Sequence, residues 1–194
     1  MNNMFKIVNT YLFNKRALRY LSITPRERRF VNYDKAKNIL LLFESDYAEK
    51  NLHIHSVIKQ MRQDGKKVSA WGFIDKKQVD TAIFPDFRIL HHKQTDLFHK
   101  PLQSYISELQ NSQFDLLIDL SVNPVVPLQY LALYAISSFK TGIRKSKLPI
   151  YDFVLDLENV ASKTESSEEM MNAVDETYLY NQIIFYLKRI QTTD

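Results

Sequence analysis

Residues 114–120 read FDLLIDL, and this stretch decides the fold class. Its apolar residues are interrupted only by Asp115 and Asp119, and the run is short and followed by polar residues. Such runs are typical of strands that are covered on both faces, as in a parallel sheet. A second run of this kind, ILLLF at residues 39–43, stands earlier in the chain. We predict that both are buried strands of one α/β domain.

Strands and helices alternate on either side of these two stretches. Further helices are predicted at residues 47–63, 102–109, 128–138 and 171–190, and further strands at 67–74, 87–90, 141–144 and 153–157. Pro101 and Pro127 stand where they favour the start of a helix. This order, with its short connections, predicts a single doubly wound, mostly parallel sheet of about five to six strands, an arrangement called Rossmann-like. Residues 158–169 are polar and rich in Ser and Glu, and we expect a loop there.

The N-terminal part of the chain is basic. Residues 1–35 contain eight basic residues and two acidic ones, whereas the whole chain of 194 residues has a net charge of only +4. Residues 3–21 show helical spacing of apolar residues, and Thr24-Pro25 ends the predicted helix. The predicted apolar stripe consists of Met4, Val8, Tyr11, Leu12, Leu18 and Leu21. We predict a basic helix and linker over residues 1–37 and a Rossmann-like α/β domain over residues 38–194.

Three interpretations of the basic helix remain open. In the first, its apolar stripe packs on the domain and its basic residues face water. In the second, the helix and linker contact RNA or another polyanion through Arg16, Arg19, Arg26, Arg28 and Arg29. In the third, the helix lies in the plane of an anionic membrane surface and inserts Phe5, Tyr11, Leu12 and Phe13.

Composition excludes several classes of protein. The chain has no cysteine, which excludes thiol nucleophiles, zinc–cysteine sites and cysteine-ligated iron–sulfur clusters. No apolar run approaches the roughly 20 residues that a membrane-spanning helix needs. The N-terminus lacks the pattern of a signal peptide. We therefore expect a soluble, cytoplasmic protein.

The distribution of glycine argues against nucleotide binding. The chain has three glycines, Gly65, Gly72 and Gly142, and none follows the first predicted strand. Dinucleotide fingerprints and phosphate-binding loops need glycines there so that the backbone can approach a phosphate. The turn instead reads Glu44-Ser45-Asp46-Tyr47, and its two carboxylates would repel a phosphate. We predict no cofactor.

Polar residues follow several predicted strands, at the edge of the sheet where doubly wound folds usually bind their ligands. The residues expected at this ligand rim are Glu44, Ser45, Asp46, Asp75, Ser121 and Asn123. Asp46 and Asp119 are the candidates for acid–base chemistry. The alternative, which we favour, is that Asp119 and Asp156 cap neighbouring loops or helices through hydrogen bonds.

Histidines give a weaker signal. His91 and His92 follow a predicted strand, and a metal site there would need a carboxylate such as Asp46 or Asp75. No spacing of ligands typical of a metal site accompanies them, and surface histidines are the alternative interpretation. We predict no metal ion.

Residues 114–144 resemble a segment of heptosyltransferase-like glycosyltransferases. The shared features are Ile118-Asp119-Leu120 at a strand end, Asn123 in a polar turn, an apolar helix over 128–138 and a short strand with Gly142. The resemblance implies the N-terminal, acceptor-side Rossmann-like domain of these enzymes, as in a group of uncharacterised bacterial proteins of similar size. The transferases also carry a glycine beside the catalytic Asp after the first strand, where this chain has Asp46 without a glycine. Their second domain, which holds the nucleotide-sugar, is not expected in 194 residues.

These observations predict a non-catalytic α/β domain that binds a protein partner or a small ligand and is related to half of a glycosyltransferase fold. One alternative is a protein that associates with RNA or a membrane surface through its basic N-terminal helix. The other is a small enzyme that uses the carboxylates at the strand ends.

Overall fold

A six-stranded, all-parallel sheet forms the centre of the protein. The computed structural model describes residues 3–46, 49–75, 86–157 and 175–190. The strands are β1 (Asn38–Glu44), β2 (Lys67–Phe73), β3 (Arg88–Leu90), β4 (Gln113–Asp119), β5 (Ile136–Ile143) and β6 (Phe153–Leu155). They lie in the order β3-β2-β1-β4-β5-β6, and each neighbouring pair is parallel. The predicted single, doubly wound, Rossmann-like sheet is confirmed.

Helices cover both faces of this sheet. They are α1 (Asn3–Ile23), α2 (Glu49–Gln63), α3 (Gln103–Gln110), α4 (Val126–Tyr134) and α5 (Glu176–Arg189). Side chains of α2 and α5 share one core layer, and those of α1, α3 and α4 share the other. Within the described part of the chain, no helix has the length and apolar character that crossing a membrane requires. The predicted loop at 158–169 and the predicted helix starts at 47 and 171 lie outside the described residues.

The central strands are apolar because both of their faces are buried. In β1, Ile39 and Leu41 pack into the layer of α2 and α5, whereas Leu40 and Leu42 pack into the layer of α4. Successive side chains of a strand point to opposite faces, so a strand between two helical layers needs apolar residues at every position. The run at 114–120 is likewise the central strand β4, one residue earlier than predicted.

The predicted helix at 128–138 is too long at its C-terminal end. Helix α4 ends at Tyr134, and β5 already begins at Ile136. The apolar run continues across this boundary, and periodicity alone does not separate a buried helix from a buried strand. Lys140 on β5 donates through Nζ to the carbonyls of Ala132 (2.6 Å) and Leu133 (3.2 Å), which the helix end leaves without helical partners.

The start of α3 also differs from the prediction at Pro101. This proline does not occupy a helical position, because it forms an isolated antiparallel bridge with Thr95. The helix begins at Gln103 with Leu102 as its N-cap residue. Pro101 and Leu102 therefore belong to the connection that precedes the helix.

Helix α1 packs on α4 through a face that the sequence did not predict. Phe13 and Ala17 are fully buried, and the Phe13 ring meets Tyr130 edge-on at 4.8 Å between ring centroids. The predicted stripe is wrong, because its members Tyr11 and Leu18 are exposed. The helix has apolar residues on two sides, so spacing alone did not identify the buried one.

Residues 26–37, predicted as a linker, are bound to the domain by specific contacts. Arg26 Nη2 donates to both carboxylate oxygens of Asp152, at 2.5 and 2.6 Å. The buried Tyr33 hydroxyl donates to Asp64 Oδ2 at 2.8 Å and shares a hydrogen bond with the Tyr180 hydroxyl at 2.7 Å. These contacts cross the domain boundary placed between residues 37 and 38, and that boundary stays a prediction.

Candidate functional site

The order of the strands places a switch point between β1 and β4. From β1 the chain proceeds outward through β2 to β3, and from β4 it proceeds in the opposite direction through β5 to β6. Because the connecting helices leave the sheet on opposite faces here, a crevice opens beyond the carboxyl ends of the two strands. Glu44 ends β1 and Asp119 ends β4, so the predicted ligand rim lies at this point.

A cleft of about 420 Å³ lies at this switch point. We call it the switch-point cleft; it is lined by Lys6, Asn9, Glu44, Ser45, Phe73, Asp75, His99 and residues 123–127. Its volume falls in the range of sites for small ligands. Among the predicted rim residues that the structure describes, Asp46 and Ser121 do not line it.

Asn9 is the least expected residue of the cleft. It lies on the buried face of α1, one turn before Phe13, and is 2% exposed. Its Nδ2 has no hydrogen-bond partner in the part of the chain that the structure describes. A buried donor without a partner costs about 1–3 kcal/mol of stability, so such groups call for an explanation. Asn9 also belongs to the lining of the cleft, so this donor lies close to the cleft although the atom itself is closed off from solvent.

Glu44 organises the opposite wall of the cleft. Its Oε1 accepts from the backbone N–H of Asn123 at 2.8 Å, and its Oε2 accepts from Asn123 Nδ2 at 3.0 Å. In phosphate-binding folds, backbone N–H groups of such a turn bind the ligand's phosphate. Here a carboxylate of the protein binds the turn after β4 instead. This arrangement agrees with the missing glycines and disfavours phosphate at this wall.

The third wall is a turn that presents His99. Asp96 holds this turn, since its Oδ1 accepts from the N–H groups of Phe98 (2.8 Å) and Lys100 (2.9 Å). His99 has a left-handed backbone with φ of 60°. Burial, with a smaller contribution from His92, lowers the pKa of His99, so its imidazole is neutral at pH 7. It can therefore both donate and accept a hydrogen bond.

Asp75 and His92 meet at the mouth of the cleft. The His92 Nε2 and Asp75 Oδ1 atoms are in contact, and the His92 and His99 rings lie 5.1 Å apart between centroids. Asp75 thus joins one of the two histidines considered for a metal site. Within the residues that the structure describes, however, no group of three or more His, Asp or Glu side chains is arranged to hold a metal ion.

Asp119 lies outside the cleft and is sealed. Its Oδ2 accepts from Lys145 Nζ at 2.6 Å and from the Tyr151 hydroxyl at 2.5 Å. Its Oδ1 accepts from the backbone N–H and the hydroxyl of Ser121, at 2.9 and 2.5 Å. Gly142 makes this closure possible, because a Cβ there would lie 3.1 Å from both the Asp119 carbonyl oxygen and the Tyr151 ring. The side chain is therefore a structural cap, as the favoured interpretation of the sequence had it.

The remaining strand-end carboxylates do not converge either. Asp156 Oδ2 accepts from Arg144 Nε at 2.8 Å beyond the far end of the sheet. Asp46 is half-buried directly after β1. Asp46, Asp119 and Asp156 thus do not share a ligand-facing surface with one another among the described residues.

The five arginines of the basic region have different surroundings. Arg16 donates to the Tyr130 hydroxyl at 3.2 Å, and its guanidinium lies over the Phe98 ring. Arg26 forms a salt bridge with Asp152, and Arg28 Nε lies 3.4 Å from the same carboxylate. Arg19 and Arg29 have exposed side chains. Arg16, Arg26 and Arg28 therefore have partners within the protein, and contact with a polyanion stays a prediction.

Three polar residues of the cleft, Lys6, Asn9 and His99, were not predicted. Lys6 and Asn9 come from α1, which the sequence assigned to a separate unit. One signal existed for Asn9. It stands four residues before Phe13 and eight before Ala17, so it shares a helix face with two apolar residues. His99 carries no such signal, since its position depends on the turn that Asp96 organises.

The fold and the cleft define a Rossmann-like α/β protein with a polar pocket at its switch point. The family to which the chain belongs is described as a Family of unknown function (DUF6913), whose model matches residues 10–172. That match spans most of the chain, from within α1 to just before α5. Comparison with curated proteins finds no match.

Proposed function

We propose that the protein is a non-catalytic α/β domain that binds a small polar ligand in the switch-point cleft. Asn9 is the observation that carries the proposal, because it adds to the cleft wall a buried amide donor without a protein partner. Buried polar groups without a partner are few in folded proteins, and each calls for an explanation. A ligand acceptor would satisfy this donor once the Asn9 amide, which is closed off from solvent in the unliganded protein, turns toward the ligand.

The side chains around the cleft indicate what kind of ligand fits. The lining contains one lysine, Lys6, against two carboxylates, Glu44 and Asp75, and His99 is neutral, so the lining does not favour an anion. The carboxylates accept hydrogen bonds from hydroxyl or ammonium groups, and Asn9 donates to an oxygen. Phe73 and residues 124–127 supply apolar contact. An uncharged or cationic molecule with several hydroxyl or amine groups matches this lining better than a nucleotide does.

We propose a non-catalytic domain because of the surroundings of Asp46 and Asp119, the two candidates for acid–base catalysis. Asp119 is enclosed by Lys145 and Tyr151, and Asp46 is not part of the described cleft lining. General acid–base catalysis requires a side chain within hydrogen-bond reach of the reacting group. A kinship with the acceptor-side half of a glycosyltransferase fold remains part of the proposal, and the parallel sheet and the position of Gly142 are compatible with it.

Binding can be tested with ¹⁵N-labelled full-length protein. The probes are neutral polyols and sugars, amino acids and small amines, with ATP and a nucleotide-sugar as the phosphate-bearing group. We expect one of the uncharged or cationic probes to shift the side-chain amide signal of Asn9, which is assigned by its loss in Asn9→Leu. Binding should be lost in Asn9→Leu and kept in Thr141→Val, whose buried Oγ1 also lacks a partner but lies on β5 away from the cleft. Shifts caused only by the phosphate-bearing probes, or by none, would contradict the proposal.

The non-catalytic part has a separate test. Hydrolysis and transfer are measured with a panel of nucleotide-sugars, for the wild type and for Asp46→Ala. We expect no turnover by either protein. Turnover by the wild type that disappears in Asp46→Ala would show that the chain is an enzyme.

A further inference from the structure

The outward face of α1 carries several large apolar residues that nothing in the described structure covers. Its large apolar residues are Ile7, Val8, Tyr11 and Leu18, with exposures of 66, 41, 64 and 59%. Their spacing places them on one side of the helix, opposite Phe13 and Ala17. Isolated exposed apolar residues are ordinary, but a contiguous apolar helix face marks a surface for interaction. We call these four residues the outer face of α1.

Helix α1 presents this face as a rigid body, because its other side is anchored. Phe13 packs edge-on against Tyr130, and Tyr20 packs edge-on against Tyr134 at 4.8 Å between ring centroids. Arg16 adds a hydrogen bond to the Tyr130 hydroxyl. A partner that binds the outer face therefore does not have to displace the helix from the domain. Such a partner also does not need to contact Phe13, which is buried in the core.

Basic residues accompany the outer face, and acidic ones do not. Helix α1 contains Lys6, Lys15, Arg16 and Arg19 and no Asp or Glu in its 21 residues. Lys15 follows Tyr11 by four positions and precedes Leu18 by three, so it lies within the outer face, with Arg19 at its border. Long basic side chains keep their charge at a polar boundary while their stems cover apolar surface.

We infer that the outer face of α1 binds an anionic lipid surface, with the helix lying in the plane of the interface. A helix face that combines large apolar residues with Lys15 and Arg19 matches that environment, in which apolar burial and attraction to anionic headgroups add together. Tyr11 suits the boundary between headgroups and acyl chains, since its ring is apolar and its hydroxyl is polar.

Two other occupants fit less well. In a symmetric pair of copies each residue faces the same patch of the partner, so the basic side chains of two outer faces would come close to each other without an acidic residue of α1 between them. RNA would meet the centre of an apolar surface, while Arg16 and Arg26 are occupied within the protein. Both occupants are outcomes of the experiment below.

The experiment is co-sedimentation of the full chain with vesicles of phosphatidylcholine alone or with about 30% phosphatidylglycerol. We expect binding to the anionic vesicles that weakens with added salt. Tyr11→Ser with Leu18→Ser should lower the partition coefficient at least about tenfold, because two apolar contacts with the lipid are lost. Lys15→Glu with Arg19→Glu should remove the preference for anionic lipid.

The matched control is Leu52→Ser on α2, on the opposite side of the sheet, which removes a leucine that is 67% exposed and should leave binding unchanged. Circular dichroism verifies that each variant is folded. Failure of the wild type to bind anionic vesicles would overturn the inference, as would equal binding by the Tyr11/Leu18 variant. It would likewise be overturned if light scattering or RNA titration showed that the outer face serves a dimer or a nucleic acid instead.

Discussion

Lys145 Nζ donates to Asp119 Oδ2 across 2.6 Å, and the two side chains are only 1% and 0% exposed. A pair of opposite charges that is withdrawn from water this completely stabilises the fold only while both partners are present. The Tyr151 hydroxyl and Ser121 satisfy the remaining acceptor positions of the carboxylate. The carboxyl end of β4 is therefore closed by an internal salt bridge, while the carboxyl end of β1 stays open at the cleft.

Removing Lys145 should strongly destabilise the protein. We expect Lys145→Met to lower the free energy of unfolding by about 3–5 kcal/mol, because Asp119 then remains as a buried charge without its cation. The control is Arg144→Met, which breaks the more exposed pair with Asp156 and should change the value by at most about 1 kcal/mol. Urea denaturation measures both. Similar losses in the two variants would show that the buried pair has no special role.

Replacing Asn9 or Thr141, two of the three described residues with a buried polar atom that lacks a partner, should stabilise the unliganded protein. Asn9→Leu and Thr141→Val each remove an atom that lacks a hydrogen-bond partner and keep a similar shape. We expect each to raise the free energy of unfolding by about 1–2 kcal/mol. Thermal and urea unfolding provide the measurement. If Asn9→Leu destabilised while Thr141→Val did not, the Asn9 amide would already have a partner in the unliganded protein.

Stability should rise with pH above neutrality because of Lys140. Burial, with a smaller contribution from Arg26 and against the opposing charge of Asp152, lowers the pKa of Lys140 from 10.5 to about 7. Between these two values the unfolded chain binds a proton that the folded protein does not, so the free energy of unfolding increases with pH. One proton contributes at most about 1.4 kcal/mol per pH unit.

The measurement is urea denaturation at several pH values from about 7 to 9.5, for the wild type and for Lys140→Met. We expect the slope against pH to be smaller in the variant. The pH range ends below the ordinary tyrosine pKa of 10.0, because Tyr180 affects the measurement above that pH. Burial raises the pKa of Tyr180 to about 12, so its contribution to the free energy of unfolding is lost as the pH rises above 10. Lys66, whose pKa burial also lowers, adds to the slope in both proteins. Identical slopes would contradict the assignment to Lys140.

The hydrogen bonds of the Tyr33 hydroxyl should stabilise the packing of residues 26–37 on the rest of the protein. Tyr33→Phe removes the hydroxyl that donates to Asp64 and meets Tyr180, and leaves both without that partner. We expect a loss of about 1–3 kcal/mol in the free energy of unfolding. Tyr178→Phe, at an exposed position on α5, is the control and should change it by no more than about 0.5 kcal/mol. An unaffected Tyr33→Phe variant would mean that this hydrogen-bond chain contributes little.

Several elements could be predicted from the sequence because their signal is local. The runs at 39–43 and 114–120 are apolar at nearly every position, which suits only strands buried on both faces, and both became central strands. The boundary at Ala135 could not be predicted, because the apolar run continues from α4 into β5. The buried face of α1 could not be predicted either, since apolar residues occupy two of its sides.

The candidate site was predictable in its place but not in its members. Glu44, Ser45, Asp75 and Asn123 were expected at the strand ends and do line the cleft. Asp119 was expected at the same edge, but Lys145 and Tyr151 come from beyond β5 and enclose it. The distinction depends on contacts between residues that are 26 and 32 positions apart. No pattern within a short stretch of sequence predicts these contacts.

The sequence by itself determined the parallel α/β architecture, because a strand between two helical layers must be apolar on both faces and this requirement is visible in the order of residues. It also argued against a phosphate loop, because a close backbone approach needs glycine where this chain has Glu44-Ser45-Asp46. Only the tertiary structure decided which carboxylate is open and which is sealed. It alone brought Asn9 to the cleft and turned the outer face of α1 to solvent, because these features arise from packing between distant segments.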